Sequence, residues 1–345
     1  MQNFFTNLSK CMIIAEIGVN HNGDLSLAKE MVDSAKSVGA DAVKFQTFKA
    51  KNLVSKGTPK VKYQQKTTSH DETHYEMIKK FELSWQNHHF IKEYCDQLGI
   101  EFLSTPYDSE SARFLNEELG VRLFKTASAD LIDHPLHEYI ASSGKPSIVS
   151  VGMATLDEIA KNISIYKKSG HEDLILLHCV SNYPCSDQSL NLRVMDTLRE
   201  TFDFPVGYSD HSFGNEAAAL SIAFGAKVIE KHFTLDKSLP GPDHLASSTP
   251  EEFKQLVKSV RRAEVMLGSS VKECQEEEKQ MATVSRKSLF LSRDCKSGHK
   301  IKKEDLLLLR PGTGISPLEL NNVLGSTLSR DLAKGTLVHW DHLEK

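Results

Sequence analysis

No apolar stretch in these 345 residues approaches the roughly 20 needed to cross a bilayer, and no membrane partner is expected. The N-terminus, MQNFFTNLSKCM, lacks a basic segment leading into an apolar core, so no secretion signal is expected either. Cysteine is sparse. The six present (Cys11, Cys95, Cys179, Cys185, Cys274 and Cys295) form no CxxC pair and are too few for a disulfide scaffold, which points to reduced thiols in the cytoplasm. An excess of one charge is missing too: the net charge is −4 and the pI about 6.4, with no basic stripe interleaved with aromatics, so a nucleic-acid partner is not expected. There is no GxxxxGK[ST] and no HExxH. Gly312 and Gly314 in RPGTGISP lack the third glycine and the strand-to-helix context of a dinucleotide fingerprint, which argues against ATP and nicotinamide chemistry.

What the chain does have is a rhythm. Eight short apolar runs occur in the first 235 residues: MIIAEIGVNHN, AVKFQTF, IEFLSTPYD, RLFKTASAD, SIVSVGM, LILLHCVSNYP, VGYSDHS and VIEKHFT. Each is too short for a helix and rich in Val, Ile, Leu and Phe, as strands buried on both faces are. Between them lie stretches of helical spacing such as LSLAKEMVDSAKSV, LDEIAKNISIYKK and EAAALSIAF. Eight strand–helix units predict a (β/α)8 TIM barrel over residues 1–268, ending near EEFKQLVKSVRRAEVML. The charged, apolar-poor residues 269–285 read as a linker or extended arm, and 286–345 as a small, mostly β domain with strand-like runs LFLSRD, LLLLRPG and GTLVHW.

In a TIM barrel the carboxyl ends of the strands form the active-site face, so the polar endings of the eight runs should meet in one cup. His211 and His232 close the last two runs and could share one divalent ion, leaving open positions for water or substrate; each could equally cap its own strand. Lys44 and Lys125 sit within apolar runs, where an ammonium needs an anion, while Ser128, Ser150 and Ser209 end three others. Two ammonium groups with converging hydroxyls describe a phosphate pocket, although a structural salt bridge is the alternative for either lysine alone. Glu16, Asn20, His21, Asn22, Gln46, Tyr183, Asp210, Glu230 and Asp243 supply groups suited to a polyhydroxylated ligand, and the prolines of PGPDH stiffen the loop carrying Asp243. Two rivals stay open on residues alone: a Schiff-base aldolase using Lys125 or Lys231, and a non-catalytic sugar-binding barrel.

AEIGVNHNGD, VKFQTF, EFLSTP, VGMAT, GYSDH, EKHFT and PGPDH, in this order, resemble the sialic acid synthase family, including its legionaminic and pseudaminic acid relatives. LLLLRPGTGI and the final KGT resemble that family's C-terminal antifreeze-like (SAF, β-clip) domain. The resemblance implies a condensation of phosphoenolpyruvate with an open-chain N-acyl sugar, with C–O cleavage, giving phosphate and a nine-carbon 2-keto acid. N-acetylmannosamine is the first expectation for the sugar and a 2,4-diacetamido-trideoxy hexose the second. By motif match, Lys44, Lys125, Ser128, Ser150 and Ser209 would hold phosphoenolpyruvate, with Ser181 or its neighbour Asn182 at the carboxylate. His211 and His232 would hold Mn2+ or Mg2+, and Glu16 would handle a proton. Glu16, Gln46, Tyr183, Glu230 and Asp243 would contact the sugar. Arg310 would reach it from the cap of a partner subunit in a domain-swapped homodimer. Asp130 stands where many members carry glutamate.

Overall fold

The computed structural model describes residues 3–60 and 72–344, which fall into two compact units, Met1–Gly268 and Ser269–Lys345. In the first, eight parallel strands form one sheet: β1 (Met12–Gly18), β2 (Ala42–Thr47), β3 (Glu101–Pro106), β4 (Phe124–Thr126), β5 (Ser147–Ser150), β6 (Leu174–His178), β7 (Val206–Asp210) and β8 (Ala226–His232). Their order is β3-β2-β1-β8-β7-β6-β5-β4, and β3 packs beside β4, so the sheet curls into a nearly closed barrel. Helices α1 (Leu25–Ser37), α2 (Ala50–Leu53), α3 (His74–Lys80), α4 (Trp85–Leu98), α5 (Ser109–Arg113, continued by a π-turn), α6 (His134–Ser142), α7 (Leu156–Lys168), α8 (Val194–Phe202), α9 (Glu216–Ala223) and α10 (Pro250–Leu267) follow the strands. Asp24, Ser84, Asp133, Thr155 and Thr249 cap helix starts by accepting backbone N–H bonds, which fixes where each loop ends.

Alternation along the strands sorts the side chains into two cores. Ile13, Ala15, Val43, Phe45, Phe102, Phe124, Val149, Leu176, Tyr208 and Ile229 point outward and pack with the helices. Ile14, Ala42, Leu103, Leu123, Ile148, Ile175, Leu177 and Val228 point inward and fill the lower barrel, where Phe5 of the N-terminal segment joins them. Gly207 also faces this interior: a Cβ there would collide with Leu177 and come within 2.5 Å of the Val228 carbonyl, so a bare position is what lets Leu177 fill the axis. Two residues further along each strand the inward positions turn polar.

In the second unit Glu276–Glu278 form one 3-10 turn and α11 (Lys279–Ser285) follows, so the presumed linker is partly helical; its Glu-rich start and good helix formers favour that. Strands β9 (Ser288–Leu291) and β10 (Leu306–Leu309) pair antiparallel, and α12 (Leu320–Val323) packs nearby. GTLVHW, expected as a strand, makes only a single bridge, between Leu337 and Phe290, because turns at Gly335 and Trp340–His342 leave no room for a longer ladder. Leu289, Leu291, Ile301, Ile315, Val323, Leu328 and Val338 form a separate small core.

Candidate active site

The inward positions above the apolar floor are Glu16, Lys44, Gln46, Thr105, Lys125, Ser150, Cys179, Ser209, His211, Glu230 and His232, and all line one cavity of about 540 Å³. Strand register sets their common level: Glu16 lies opposite Lys44 across β1–β2 and opposite His232 across β1–β8, and Ser209 lies opposite Glu230 across β7–β8. Ser128, Ser181, Tyr183 and Asp243 join from the loops.

Four charged groups form the base of the cup. Lys44 Nζ pairs with Glu16 at 2.7 Å and with Glu230 at 3.7 Å, and it donates to Thr105 Oγ1 at 3.0 Å. Lys125 Nζ lies 3.6 Å from Glu230 and donates to Ser150 Oγ at 2.7 Å and to the Thr126 carbonyl at 3.1 Å. Glu230 thus sits between both ammonium groups and also accepts from Ser209 Oγ at 3.0 Å. Burial raises both carboxyl groups, but for Glu230 the two lysines outweigh it and hold the acid ionised. Glu16 has Lys44 against burial and the nearby Glu230 charge, and ends above its usual range, poised to carry a proton. Burial also lowers Lys125, although Glu230 counters part of that.

The histidines stand beside this quartet with ring centroids 5.7 Å apart, and Tyr183 packs 4.1 Å from His211 and 5.4 Å from His232. Burial depresses both imidazoles, to about 3 for His232, so they are neutral near pH 7. His211 Nδ1 lies 2.7 Å from the Val180 carbonyl, which can only accept, so Nδ1 carries the proton and Nε2 a lone pair. Ser209 lies 3.3 Å from that Nε2 but sends its own proton to Glu230. His232 Nδ1 is buried without a hydrogen bond, 4.0 Å from Asp243, whose carboxyl burial raises to about 6.

Not every expected residue reaches the cup. Asp210 and Lys231 point outward from β7 and β8 and pair with each other at 2.6 Å, while Lys231 also donates to the Ser212 carbonyl at 2.8 Å. Alternation alone dictates this, since each lies one residue from an inward position, and it removes Lys231 as a Schiff-base candidate. Asn20 ties the β1 loop to Phe233 and Ser247, His21 accepts from the Gly23 amide, and Asn22 Oδ1 lies 3.5 Å from His244; these three are loop fasteners, outside the cavity lining. Ser181 lines the cavity, whereas Asn182 is exposed and bonded to the Pro184 carbonyl. Asp130 is part-buried on the turn after β4, where burial and Asp133 raise it to about 7 against Lys125. Arg310 lies in the second unit, exposed, directly after β10.

Thr105, Tyr107, Cys179 and His74 line the cavity without having been singled out. Thr105 and Cys179 follow from the same two-residue alternation, while His74, carried in by α3, had no signal in its neighbourhood. An apolar wall of Val19, Phe48, Leu53, Val54, Ile78 and Met153 completes the lining. A second group of potential ligands, Cys295, His299 and Asp305, lies in the C-terminal unit with ligand atoms within 4.8 Å of one another. Asp305 there already accepts from Arg293 at 2.6 Å, His299 at 2.7 Å and the Lys302 amide at 2.9 Å, so its carboxylate is consumed within the protein.

Residues 31–272 match the NeuB family, and residues 286–344 match the SAF domain. The chain belongs to the NeuB family. It is 51% identical over 338 residues (97% of this chain, 95% of the relative) to an N,N'-diacetyllegionaminic acid synthase of Legionella pneumophila. It is 38% identical over 266 residues (76% and 73%) to a human N-acetylneuraminate-9-phosphate synthase. A crystal structure of an N-acetylneuraminic acid synthetase from Leptospira borgpetersenii, in complex with citrate, superposes with a TM-score of 0.70 at 36% identity (79% and 90%). NeuB-family synthases condense phosphoenolpyruvate with an N-acyl sugar to form nonulosonic acids, and this chain is such a synthase.

Proposed function

We propose that this synthase joins phosphoenolpyruvate to a 2,4-diacetamido-trideoxy hexose, giving a legionaminic-type acid, in preference to N-acetylmannosamine. The observation that carries the choice is the apolar wall of Val19, Phe48, Leu53, Val54, Ile78 and Met153. A sugar with a methyl group and a second acetamido group in place of hydroxyls buries carbon there, whereas hydroxyls would lose water without a partner. The 51% identity to a legionaminic acid synthase supports the same reading.

In this reading Lys44 and Lys125, with Ser128, Ser150, Ser181 and Ser209, hold phosphoenolpyruvate. Gln46, Tyr183 and Asp243, which line the same cavity, contact the sugar. The imidazoles suit a divalent ion, Mn2+ or Mg2+: both are neutral, one has its proton fixed away on Val180, and the other has an unbonded buried nitrogen. Such an ion would act as a Lewis acid on the sugar aldehyde. The enol carbon forms the new C–C bond to that aldehyde carbon, and electron demand moves to C2. Water adds at C2, the C–O bond to phosphate breaks, and its electron pair leaves with inorganic phosphate. Glu16, whose pKa burial raises to about 7 so that it exchanges a proton near neutrality, serves the oxygen that changes charge. Lys44 and Lys125 neutralise the phosphate and fix its distance from the aldehyde.

We further propose a C2 homodimer in which Arg310 serves the partner's cup, working in the cytoplasm, where all six free thiols stay reduced. The deciding assay is phosphate release from phosphoenolpyruvate with Mn2+ and either sugar. A higher kcat/KM for N-acetylmannosamine would overturn the sugar assignment. No release with any N-acyl sugar would overturn the reaction.

A further inference from the structure

The inward parity of β2 and β3 does not end at Gln46 and Thr105. Those two residues are register partners across β2–β3, and two positions further along each chain come Phe48 and Tyr107, which line the same cavity. The register holds past the strands: the Tyr107 amide donates to the Thr47 carbonyl at 3.1 Å, and the Phe48 and Tyr107 rings meet edge to face with centroids 6.0 Å apart. Burial and the surrounding carboxyl groups, Asp130 first, push the Tyr107 hydroxyl well above the ordinary tyrosine range, so it remains an O–H donor near neutral pH. Among the described residues that hydroxyl has no hydrogen-bond partner. Helix α3 brings a second idle polar group. His74 and Ile78 lie four residues apart on one face of α3 and both line the cavity with Leu53 of α2, against which α3 packs. Burial and Lys60 lower the His74 imidazole, so near pH 7 the ring is neutral, with one N–H and one lone pair, and its Nδ1 is buried without a hydrogen bond. Leu53, Ile78 and Tyr107 pack on the cluster that contains Phe48, so the phenol borders the same apolar patch that begins one helical turn from His74.

A donor, an acceptor and an apolar surface between them are the complement of an acetamido group, which carries a carbonyl, an N–H and a methyl. A hydroxyl would occupy one of the polar places and leave the apolar one empty. We infer that His74 and Tyr107 are specificity-determining residues that receive the sugar's second acetamido group: the Tyr107 hydroxyl donates to its carbonyl, His74 accepts from its N–H, and its methyl lies on Phe48, Leu53 and Ile78. This rests on the reading of the sugar as a 2,4-diacetamido-trideoxy hexose. Binding then satisfies two polar groups that the protein itself leaves unpaired, so discrimination comes from partners that only the right sugar supplies.

The test uses the full-length protein with Tyr107→Phe, which keeps the ring against Phe48 and removes only the hydroxyl, and independently His74→Leu, which keeps bulk without a nitrogen. The ratio of kcat/KM for the diacetamido sugar to that for N-acetylmannosamine should fall on the order of 5- to 100-fold in each, the range for a buried polar group left without its partner. Where N-acetylmannosamine is not turned over, its inhibition constant against the diacetamido sugar takes the place of its kcat/KM. His74→Gln, whose amide oxygen can accept the same bond, should recover part of the ratio. Phosphoenolpyruvate KM and the melting temperature should stay near wild type, a split that general damage would not produce. An unchanged ratio in both variants would overturn the inference, whether neither sugar is affected or both lose equally, the latter assigning the place to the acetamido group they share. A ratio that changes in one variant alone would overturn the part given to the other residue. Wild-type protein that prefers N-acetylmannosamine would instead remove the sugar assignment beneath the inference.

Discussion

Replacing Glu230 by glutamine should weaken the fold while strengthening the hold on phosphate, two effects of opposite sign from one lost charge. Glu230 is buried 3.6 Å from Lys125 and 3.7 Å from Lys44, and the amide can keep the Ser209 hydrogen bond. At an effective dielectric near 20, each pair at that distance is worth roughly 4–5 kcal/mol of attraction. Desolvation offsets much of it, and breaking a buried pair by removing one partner costs about 3–5 kcal/mol because the other charge is stranded. For a unit of this size that corresponds to a melting point lower by roughly 6–20 °C, read by calorimetry. Here two ammonium groups are stranded with only Glu16 remaining, so an incoming anion meets less competition. Inorganic phosphate should bind Glu230→Gln about tenfold or more tightly than wild type in titration calorimetry, restoring part of the lost stability. A melting point within about 2 °C of wild type, or weaker phosphate binding, would show that Glu230 does not balance the lysines.

Asp130→Asn should change the pH dependence of stability. Its folded acidity, near 7 against an ordinary 3.8, means that the folded state binds the extra proton between those values. Stability from this group is present at low pH and is lost as pH rises toward 7, so the asparagine variant should gain roughly 2–4 kcal/mol over wild type at pH 8 and little at pH 4; equal gains by urea unfolding at both pH values would refute it. For the swapped cap, His211→Ala and Arg310→Ala should each be nearly inactive, and unfolding and refolding them together should restore about a quarter of wild-type activity, since half the dimers are mixed and each has one intact site. No recovery from dimers shown to have exchanged subunits would refute service in trans.

The barrel was legible because both-face-buried strands leave nearly continuous apolar runs, such as Leu174 to Leu177 and, interrupted only by Glu16, Ile13 to Ile17, with helical stretches alternating between them. The cup was legible to the extent that strand alternation was applied strictly. Glu16, Lys44, Lys125, Ser150, Ser209, His211, Glu230 and His232 share one parity along their strands, whereas Asp210 and Lys231 have the other parity and satisfy each other outside the barrel. Thr105 and Cys179 share the inward parity and were available to the same argument. Asn20, His21 and Asn22 lie past the end of β1, where parity stops meaning anything and loop hydrogen bonds decide. The apolar wall comes partly from α2 and α3 and the segments flanking them, whose packing over the cup depends on contacts distant in sequence.

Pairing explains how a barrel can carry four ionisable groups at its centre before any substrate arrives. Glu16 and Glu230 lie against Lys44 and Lys125, so each ammonium group has a carboxyl partner within 3.7 Å. Phosphoenolpyruvate adds about three negative charges at neutral pH, counting a phosphate of −1.5 to −2 and a carboxylate. On the proposed reading, binding therefore cannot be a matter of positive potential alone; it would be an exchange in which the anion displaces carboxylates from the ammonium groups. Glu230, held ionised by both lysines, would then resist that exchange, while Glu16, whose pKa burial already raises to about 7, would yield most readily by taking up a proton. On that reading the carboxyl group that gives way on binding would also be the one to return the proton during the condensation, and a divalent ion on His211 and His232 would offset the charge that remains.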